Sequence, residues 1–370
     1  MKVCFISPYA YPLFNEKCTI TFGGAEVQTY LLAKELSKDH AFSVHMVTAD
    51  FGQKKKEQYG GITLHKSFIL RTTNTYDGFV SSVHQCFNGL KLLCVLFSIN
   101  ADIYIQRSAG AETGIIAFLC RLCNKKFIYM TASDIDCNGT YIANNKVRGT
   151  LYSYGIKHAH RILTQSAGHK KLLFDTSSLK STVLSTACPL YPLSNQRKEY
   201  ILWIGRLIDL KRPDYFLSLA EHFSSEHFLM IAPRSGDEKV YDNYIKKIKS
   251  FKNVEYRNRV PFSEVDRCFS KAKMLINTSS YEGFPNTFVQ AWKCAVPVLS
   301  VGVNPDDVFD KHKVGYCTHT VEELCEKVAR LLADQSLYQS LAKNCYDYAC
   351  TNHNIDTIIK QFKEILNCRS

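Results

Sequence analysis

Short apolar runs alternate with helix-period segments along this chain, and the alternation starts twice. In the first half Val3 to Ile6, Val44 to Thr48, Ile103 to Gln106, Phe127 to Met130 and Ile162 to Thr164 are too short for helices and read as buried strands. Between the first two, Val27, Tyr30 and Leu31 recur at i, i+3 and i+4, which predicts a helix from about Ala25 to Ser37. This order implies a parallel sheet covered by helices. The segment from Thr182 to Tyr200 breaks the rhythm: Pro189, Pro192, Ser194, Asn195 and the charged Arg197-Lys198-Glu199 read as an interdomain linker. Strand candidates then resume at Tyr200 to Ile204, Phe228 to Ala232, Met274 to Asn277 and Pro297 to Ser300. Phe216, Leu219, Ala220 and Phe223 mark one helix face, and Leu324, Val328, Leu331 and Leu332 another, with Thr320 and Glu323 as a capping box before it. The expected organisation is α/β, with a first domain over 1–183, a linker over 184–199, a second domain over 200–350 and a terminal helix over 351–370 that packs back towards the first domain. Two similar α/β halves make a cleft between them, and ligands of open parallel sheets bind beyond the carboxyl ends of strands.

With 46% hydrophobic and 22% charged residues in 370, the chain is not disordered, collagen-like or a coiled coil in bulk. Forty-six Lys plus Arg against 34 Asp plus Glu gives +12, which favours an anionic partner: a nucleotide phosphate, an acidic membrane surface or nucleic acid. No helix-turn-helix, RRM or zinc pattern accompanies the charge, so nucleic acid is the poorest of the three. No apolar run approaches the roughly 20 residues of a membrane span. Leu90 to Ile99 is short and carries Lys91, and Ser7 and Pro8 end the opening apolar stretch too early for a signal peptide. Fifteen scattered cysteines, an odd number, indicate reduced thiols in a cytosol, so the sequons at Asn138 and Asn277 are chance matches.

Three loops carry chemistry. The loop after the first strand ends in Gly23-Gly24-Ala25-Glu26 and feeds a helix. The glycines allow close backbone approach to an anion, or form a flexible turn, and Glu26 is placed to offset the helix dipole. Gly205-Arg206-Leu207-Ile208-Asp209-Leu210-Lys211 follows the first strand of the second half. An Arg fork and a Lys point charge there suit a diphosphate, or form a solvated basic loop. The third stretch, Asn277 to Trp292, places Glu282 and Gly283-Phe284-Pro285 in a loop, with Asn286 and Gln290 on one side of the following helix. Carboxylate, amide and helix N-terminus would converge on one polar ligand, the alternative being a structural carboxylate that caps the helix.

In combination these loops resemble the GT-B glycosyltransferases, specifically family 4 of the retaining, nucleotide-sugar-dependent enzymes, over nearly the whole chain. The resemblance implies two Rossmann-like parallel-sheet domains facing across a cleft. Arg206 and Lys211 would neutralise the donor's diphosphate, and Glu282 would sit by the transferred sugar. Gly23 and Gly24 would line the phosphate and sugar end, while Gly283, Phe284, Pro285 and Asn286 would hold sugar hydroxyls or phosphate oxygens. The family's glutamate-x7-glutamate signature is met at its first position only. Its second is Gln290, which still accepts a ribose hydrogen bond through its carbonyl but without charge assistance. Many members carry a His-Asp pair after a central strand of the first domain. Here Ser133 stands for the histidine, and Asp134 either meets donor sugar or acceptor hydroxyl or caps a turn.

Asp134-x-Asp136 invites a metal, but a basic diphosphate loop in two similar halves argues against one, so neither a metal nor a further cofactor is expected and the nucleotide-sugar is a substrate. Cys120-x-x-Cys123 lies in a helix-period run without a second pair at zinc spacing and reads as buried thiols. The expected partners are a UDP- or GDP-linked sugar and a saccharide or lipid-linked saccharide acceptor. Pairs such as Lys125-Lys126 and Lys170-Lys171 offer peripheral contact with anionic lipid at the cytosolic face of a membrane. Tyr9, Tyr11 and Phe14 meet acceptor sugar or lipid, or simply pack. The rival readings are a non-catalytic glycosyltransferase-like partner, which Gln290 and Ser133 suggest, and a nucleotide-sugar epimerase or hydrolase of the same fold.

Overall fold

The structure, a computed structural model, describes residues 1–69, 79–193 and 196–368. It divides into two compact units, Met1–Ala187 with Asp356–Ser370, and Cys188–Ile355.

The first unit is built on eight strands: β1 (Lys2–Ile6), β2 (Ser43–Asp50), β3 (Lys56–Tyr59), β4 (Ile62–Ile69), β5 (Ile103–Arg107), β6 (Lys126–Met130), β7 (Arg161–Thr164) and β8 (Thr182–Val183). Their order is β3-β4-β2-β1-β5-β6-β7-β8, parallel throughout except for β3 against β4. That hairpin turns on Gly60-Gly61, with φ of +51° and +87°, the left-handed pair that a two-residue turn of matching twist demands. The helices are α1 (Gly24–Leu36), α2 (Phe79–Ile99), α3 (Ala111–Leu122), α4 (Thr140–Asn144), α5 (Lys146–Lys157) and α6 (Ala167–Ser177).

Leu92 and Leu96 of α2, Ile116 and Leu119 of α3 and Ile156 of α5 share one core with Tyr104 and Phe127 of the sheet. Glycine sets the spacing of α3 on α5: a Cβ at Gly114 would lie 2.3 Å from the Leu151 carbonyl oxygen. The chain's last helix, Ile355–Asn367, joins this unit from Asp356 on. Its Phe362 ring lies 6.3 Å from that of Phe5, and Lys363 Nζ is 2.6 Å from Asp39.

The second unit carries β9 (Tyr200–Ile204), β10 (Phe228–Ile231), β11 (Val254–Arg257), β12 (Ala272–Asn277), β13 (Val298–Val301) and β14 (Gly315–Thr318), all parallel, in the order β11-β10-β9-β12-β13-β14. Helices α7 (Pro213–His222), α8 (Glu238–Ile248), α9 (Val265–Ser270), α10 (Asn286–Trp292), α11 (Val308–His312), α12 (Val321–Ala333) and α13 (Gln335–Asn352) complete it; the chain's last helix is α14. Two apolar cores cover the sheet. One gathers Phe288, Trp292 and Phe309, and the other packs Trp203 and Phe216 with Val328 and Leu331 of α12.

The expected linker is only partly a linker. Leu184, Thr186, Ala187 and Cys188 are buried. The Gln28 side chain exchanges two hydrogen bonds with the Ala187 backbone, at 3.0 and 2.8 Å. Cys188 pairs with the chain near Asn354, its N–H donating to the His353 carbonyl at 2.8 Å. Extended backbone hydrogen-bonded along its length is held in place, whatever its proline content. Ser194 and Asn195 lie outside the described residues.

Candidate active site

The strand order reverses between β9 and β12, so the carboxyl ends of these two neighbours mark the topological switch point of the second sheet, where such folds leave a crevice. The loops that follow them are Gly205–Arg212 and Thr278–Pro285, the two basic and acidic stretches singled out in the sequence.

The loops are stitched together. Thr278 Oγ1 donates to the Lys211 carbonyl at 2.5 Å and accepts from Trp203 Nε1 at 2.9 Å, and the Ser280 amide donates to the Leu210 carbonyl at 2.9 Å. Arg212 completes the seam. Its Nε donates to the Thr278 carbonyl at 2.6 Å, and Nη2 to the carbonyls of Ser279 and Val301 at 2.9 and 2.7 Å, with the Tyr215 ring 4.8 Å from the guanidinium. Holding this fork requires Arg212 to take the left-handed conformation, φ +43°, directly before Pro213.

On this frame Lys211 Nζ meets Glu282 Oε1 in an ion pair, both side chains about a fifth to a quarter exposed at 18% and 24%, and Ser279 Oγ donates to the same carboxylate oxygen at 2.8 Å. Arg206 is exposed, and among the described residues its guanidinium has no hydrogen-bond or ion-pair partner. Across the two loops Arg206, Lys211 and Arg212 are set against the two acids Asp209 and Glu282, a net charge of +1. Arg206 is free to turn to a ligand, and two of the three Lys211 protons remain to be shared with one.

The Gly283-Phe284-Pro285 stretch behaves differently from the expectation that it holds a ligand by its side chains. All three residues are buried, and the Phe284 ring packs 5.1 Å from His353 and 6.2 Å from Trp292. Phe284 belongs to the core, which leaves only backbone to meet a ligand there. Helix α10, from Asn286, has seven residues, too short for its N-terminus to contribute much dipole. Gln290 is half-buried, and its amide makes no hydrogen bond among the described residues.

In the first unit the structure bears on two of the sequence readings. The Gly23 amide, expected to serve a phosphate, donates to Glu26 Oε2 at 2.8 Å. A carboxylate that takes the donor also repels a phosphate, so the Gly23 amide is committed to closing the helix start with Glu26. The carboxylates after β6 divide the two roles that the sequence left open for Asp134. Asp136 is the turn-former: it is buried and accepts from the amides of Ala132 at 2.5 Å, Ala109 at 3.2 Å and Ser133 at 3.3 Å. Burial raises its pKa, and those amides oppose the rise. Asp134 is free of that duty and accepts from Nε2 of the buried His169 at 2.7 Å.

Sequence reasoning missed His169, whose position is fixed by a Ser166 N-cap with the His169 amide donating to Ser166 Oγ at 3.0 Å. It missed Arg107 too, which ends β5 beside the first sheet's switch point and donates to Gln165 at 2.6 Å. Burial pulls the Arg107 guanidinium down to about 10. Among the described residues no three His, Cys, Asp or Glu side chains are gathered as a metal site. Cys120 is a buried thiol pushed up to about 12 by desolvation. Tyr11 and Phe14 pack, Tyr11 stacking on Phe51 at 5.7 Å and Phe14 meeting Tyr30 at 5.0 Å, while Tyr9 is exposed.

Two largely parallel sheets, each covered by helices, and the likeness to solved structures over the whole chain define the class: this is the GT-B glycosyltransferase fold. Residues 192–348, within the second unit, match the model of the glycosyl transferases group 1. Among solved structures, sucrose-phosphate synthase from Thermosynechococcus elongatus superimposes with a TM-score of 0.79 at 13% identity, covering 99% of this chain and 98% of that one. Anabaena HepE in complex with UDP and glucose gives 0.75 at 14% identity, covering all of both chains. Among curated relatives, the poly(ribitol-phosphate) alpha-N-acetylglucosaminyltransferase of Staphylococcus aureus is 22% identical over 48% of this chain and 37% of its own length. The amylovoran biosynthesis glycosyltransferase AmsD of Erwinia amylovora is 22% identical over 59% of this chain and 64% of its own. The chain thus spans less than two-thirds of the length of these curated relatives.

Proposed function

We propose that this chain is a retaining glycosyltransferase that moves a sugar from a UDP- or GDP-linked donor to a saccharide or lipid-linked saccharide acceptor. Its setting is the synthesis of cell-surface polysaccharide or glycoconjugate, at the cytosolic face of a membrane. The observation that carries the reading is the Lys211–Glu282 pair between the two loops, one of which also carries Arg206, at the switch point of the unit that matches the group 1 model. The relatives' names, a poly(ribitol-phosphate) alpha-N-acetylglucosaminyltransferase and an amylovoran biosynthesis glycosyltransferase, support the setting.

In the proposed reaction the bond from the sugar's anomeric carbon to the diphosphate breaks, and its electron pair leaves with the diphosphate. Arg206 and Lys211 stabilise that charge, the electrostatic work a divalent cation does in other transferases. The acceptor hydroxyl oxygen bonds to the anomeric carbon on the face the diphosphate leaves, and its proton passes to a diphosphate oxygen. Configuration is retained, and no protein nucleophile is required. Glu282 orients the transferred sugar by accepting from its hydroxyls, and Gln290 accepts from the ribose. The first unit's own candidate group is Asp134, which accepts from the buried His169 and has capacity left for a hydroxyl.

Incubating the protein with UDP- and GDP-sugars, chelator and a saccharide acceptor, and following the anomeric proton resonances, tests the reading. One donor should be consumed, with a new linkage of the donor's own anomeric configuration. An inverted linkage, free sugar alone or an epimerised donor would overturn it.

A further inference from the structure

Helices α2 and α3 turn apolar residues outward where a surface helix of a globular protein is ordinarily polar. Along α2 the exposed positions include Phe87, Leu90, Cys94 and Phe97, three and four residues apart, with Phe97 68% exposed. Toward the end of α3 Phe118 and Leu122 are exposed, the latter by 73%. The two helices are neighbours on one face of the sheet: their inner residues share a core, and a Cβ at Gly89 would lie 3.2 Å from Ile115 Cδ1. Isolated exposed apolar residues are ordinary, but five large ones on two adjacent helices form a surface that marks an interaction.

The charges carried by the helices of this face are basic with a single exception. Those of α2, α3 and α5 are Lys91, Glu112, Arg121, Lys146, Arg148 and Lys157. The exception, Glu112, sits in the first turn of α3, at the opposite end of the helix from Phe118 and Leu122. One further acid, the exposed Asp102, lies just past α2, its backbone carbonyl accepting from the Lys126 amide at 3.1 Å. Lys91 lies 4.7 Å from the centre of the Phe87 ring, and Lys125 and Lys126 follow α3 directly.

We propose that this face seats the protein on an anionic lipid surface, with Phe87, Leu90, Phe97, Phe118 and Leu122 in the headgroup–acyl boundary and Lys91, Arg121 and Lys125 at the lipid phosphates. Charge complementarity selects the occupant. A second copy of the same face would press like charges together around the apolar centre, whereas an anionic bilayer neutralises them and takes up the aromatic rings. None of the described helices is long and apolar enough to cross a membrane, so the mode is seating rather than spanning. The inference deepens the proposed membrane setting by naming the surface, and it rests on that part of the reading alone.

The test is flotation of the full chain, without nucleotide, on phosphatidylcholine vesicles with and without phosphatidylglycerol at about a third of the lipid, in low and in physiological salt. Binding should require the anionic lipid and weaken with salt. Phe97→Ser combined with Leu122→Ser should cut partitioning about tenfold or more, since two large apolar groups leave the interface. Both positions are exposed, so the melting temperature and transfer to a soluble acceptor should not change. Equal binding by wild type and variant, no binding to either vesicle, or a concentration-dependent dimer that the two substitutions dissociate would overturn the proposal. Loss of vesicle binding with transfer intact, or the reverse, separates this inference from the transferase reading.

Discussion

Glu282→Gln should lower kcat by about 10²-fold or more, close to 2.7 kcal/mol of transition-state stabilisation, while the affinity for a nucleoside diphosphate holds or rises. The two halves of this expectation have separate causes. The carboxylate pairs with Lys211 and accepts from Ser279, so the amide, similar in shape, releases the ammonium toward the diphosphate. What is lost is the anionic acceptor for the transferred sugar's hydroxyls. Folding should change by less than about 1 kcal/mol, because the amide keeps the shape of the carboxylate and, in the free protein, its carbonyl can still accept from Ser279 and Lys211. Steady-state kinetics with calorimetric binding of the nucleotide checks both halves. Unchanged kcat would remove Glu282 from the reaction and leave it as a tether for Lys211.

Arg212→Ala should be the most destabilising of the site substitutions, by about 2–4 kcal/mol, because it strands the carbonyls of Thr278, Ser279 and Val301 and removes the Tyr215 stack. Arg212→Lys should recover little of that loss. One ammonium cannot serve three carbonyls in the fork geometry, although it keeps the charge. Thermal unfolding of the three proteins distinguishes the fork from the charge. If lysine restores wild-type stability, the residue acts through its field alone, and the seam between the loops after β9 and β12 is held by other bonds.

Strands that are buried on both faces, such as Tyr200–Ile204 and Phe127–Met130, announce themselves as apolar runs, and the structure places both within a residue of the runs. Lys56–Tyr59 does not, because an edge strand of polar residues has no such run; its signal is the Gly60-Gly61 step that follows. Sheet order was out of reach, since pairing β9 with β12 joins residues some seventy positions apart, and with it the switch point that brings Lys211 to Glu282.

The charged loop residues were legible because a carboxylate or guanidinium at a strand end has few structural uses. Arg212, one position beyond Lys211, looks the same in sequence yet serves backbone carbonyls. His169 and Asp134 are 35 residues apart, and nothing local links them. Gly23 is the opposite case: Glu26 three residues on satisfies the amide that a ligand was expected to take.

The central claim is that the crevice beyond β9 and β12 binds a nucleoside diphosphate through Arg206 and Lys211. Calorimetric titration of UDP and of GDP into the wild-type chain, Arg206→Ala and Lys211→Ala, all with chelator present, tests it directly. One of the two nucleotides should bind the wild type, and each substitution should weaken it about tenfold or more, some 1.4 kcal/mol. Binding of neither nucleotide, or equal binding by all three proteins, would contradict the account.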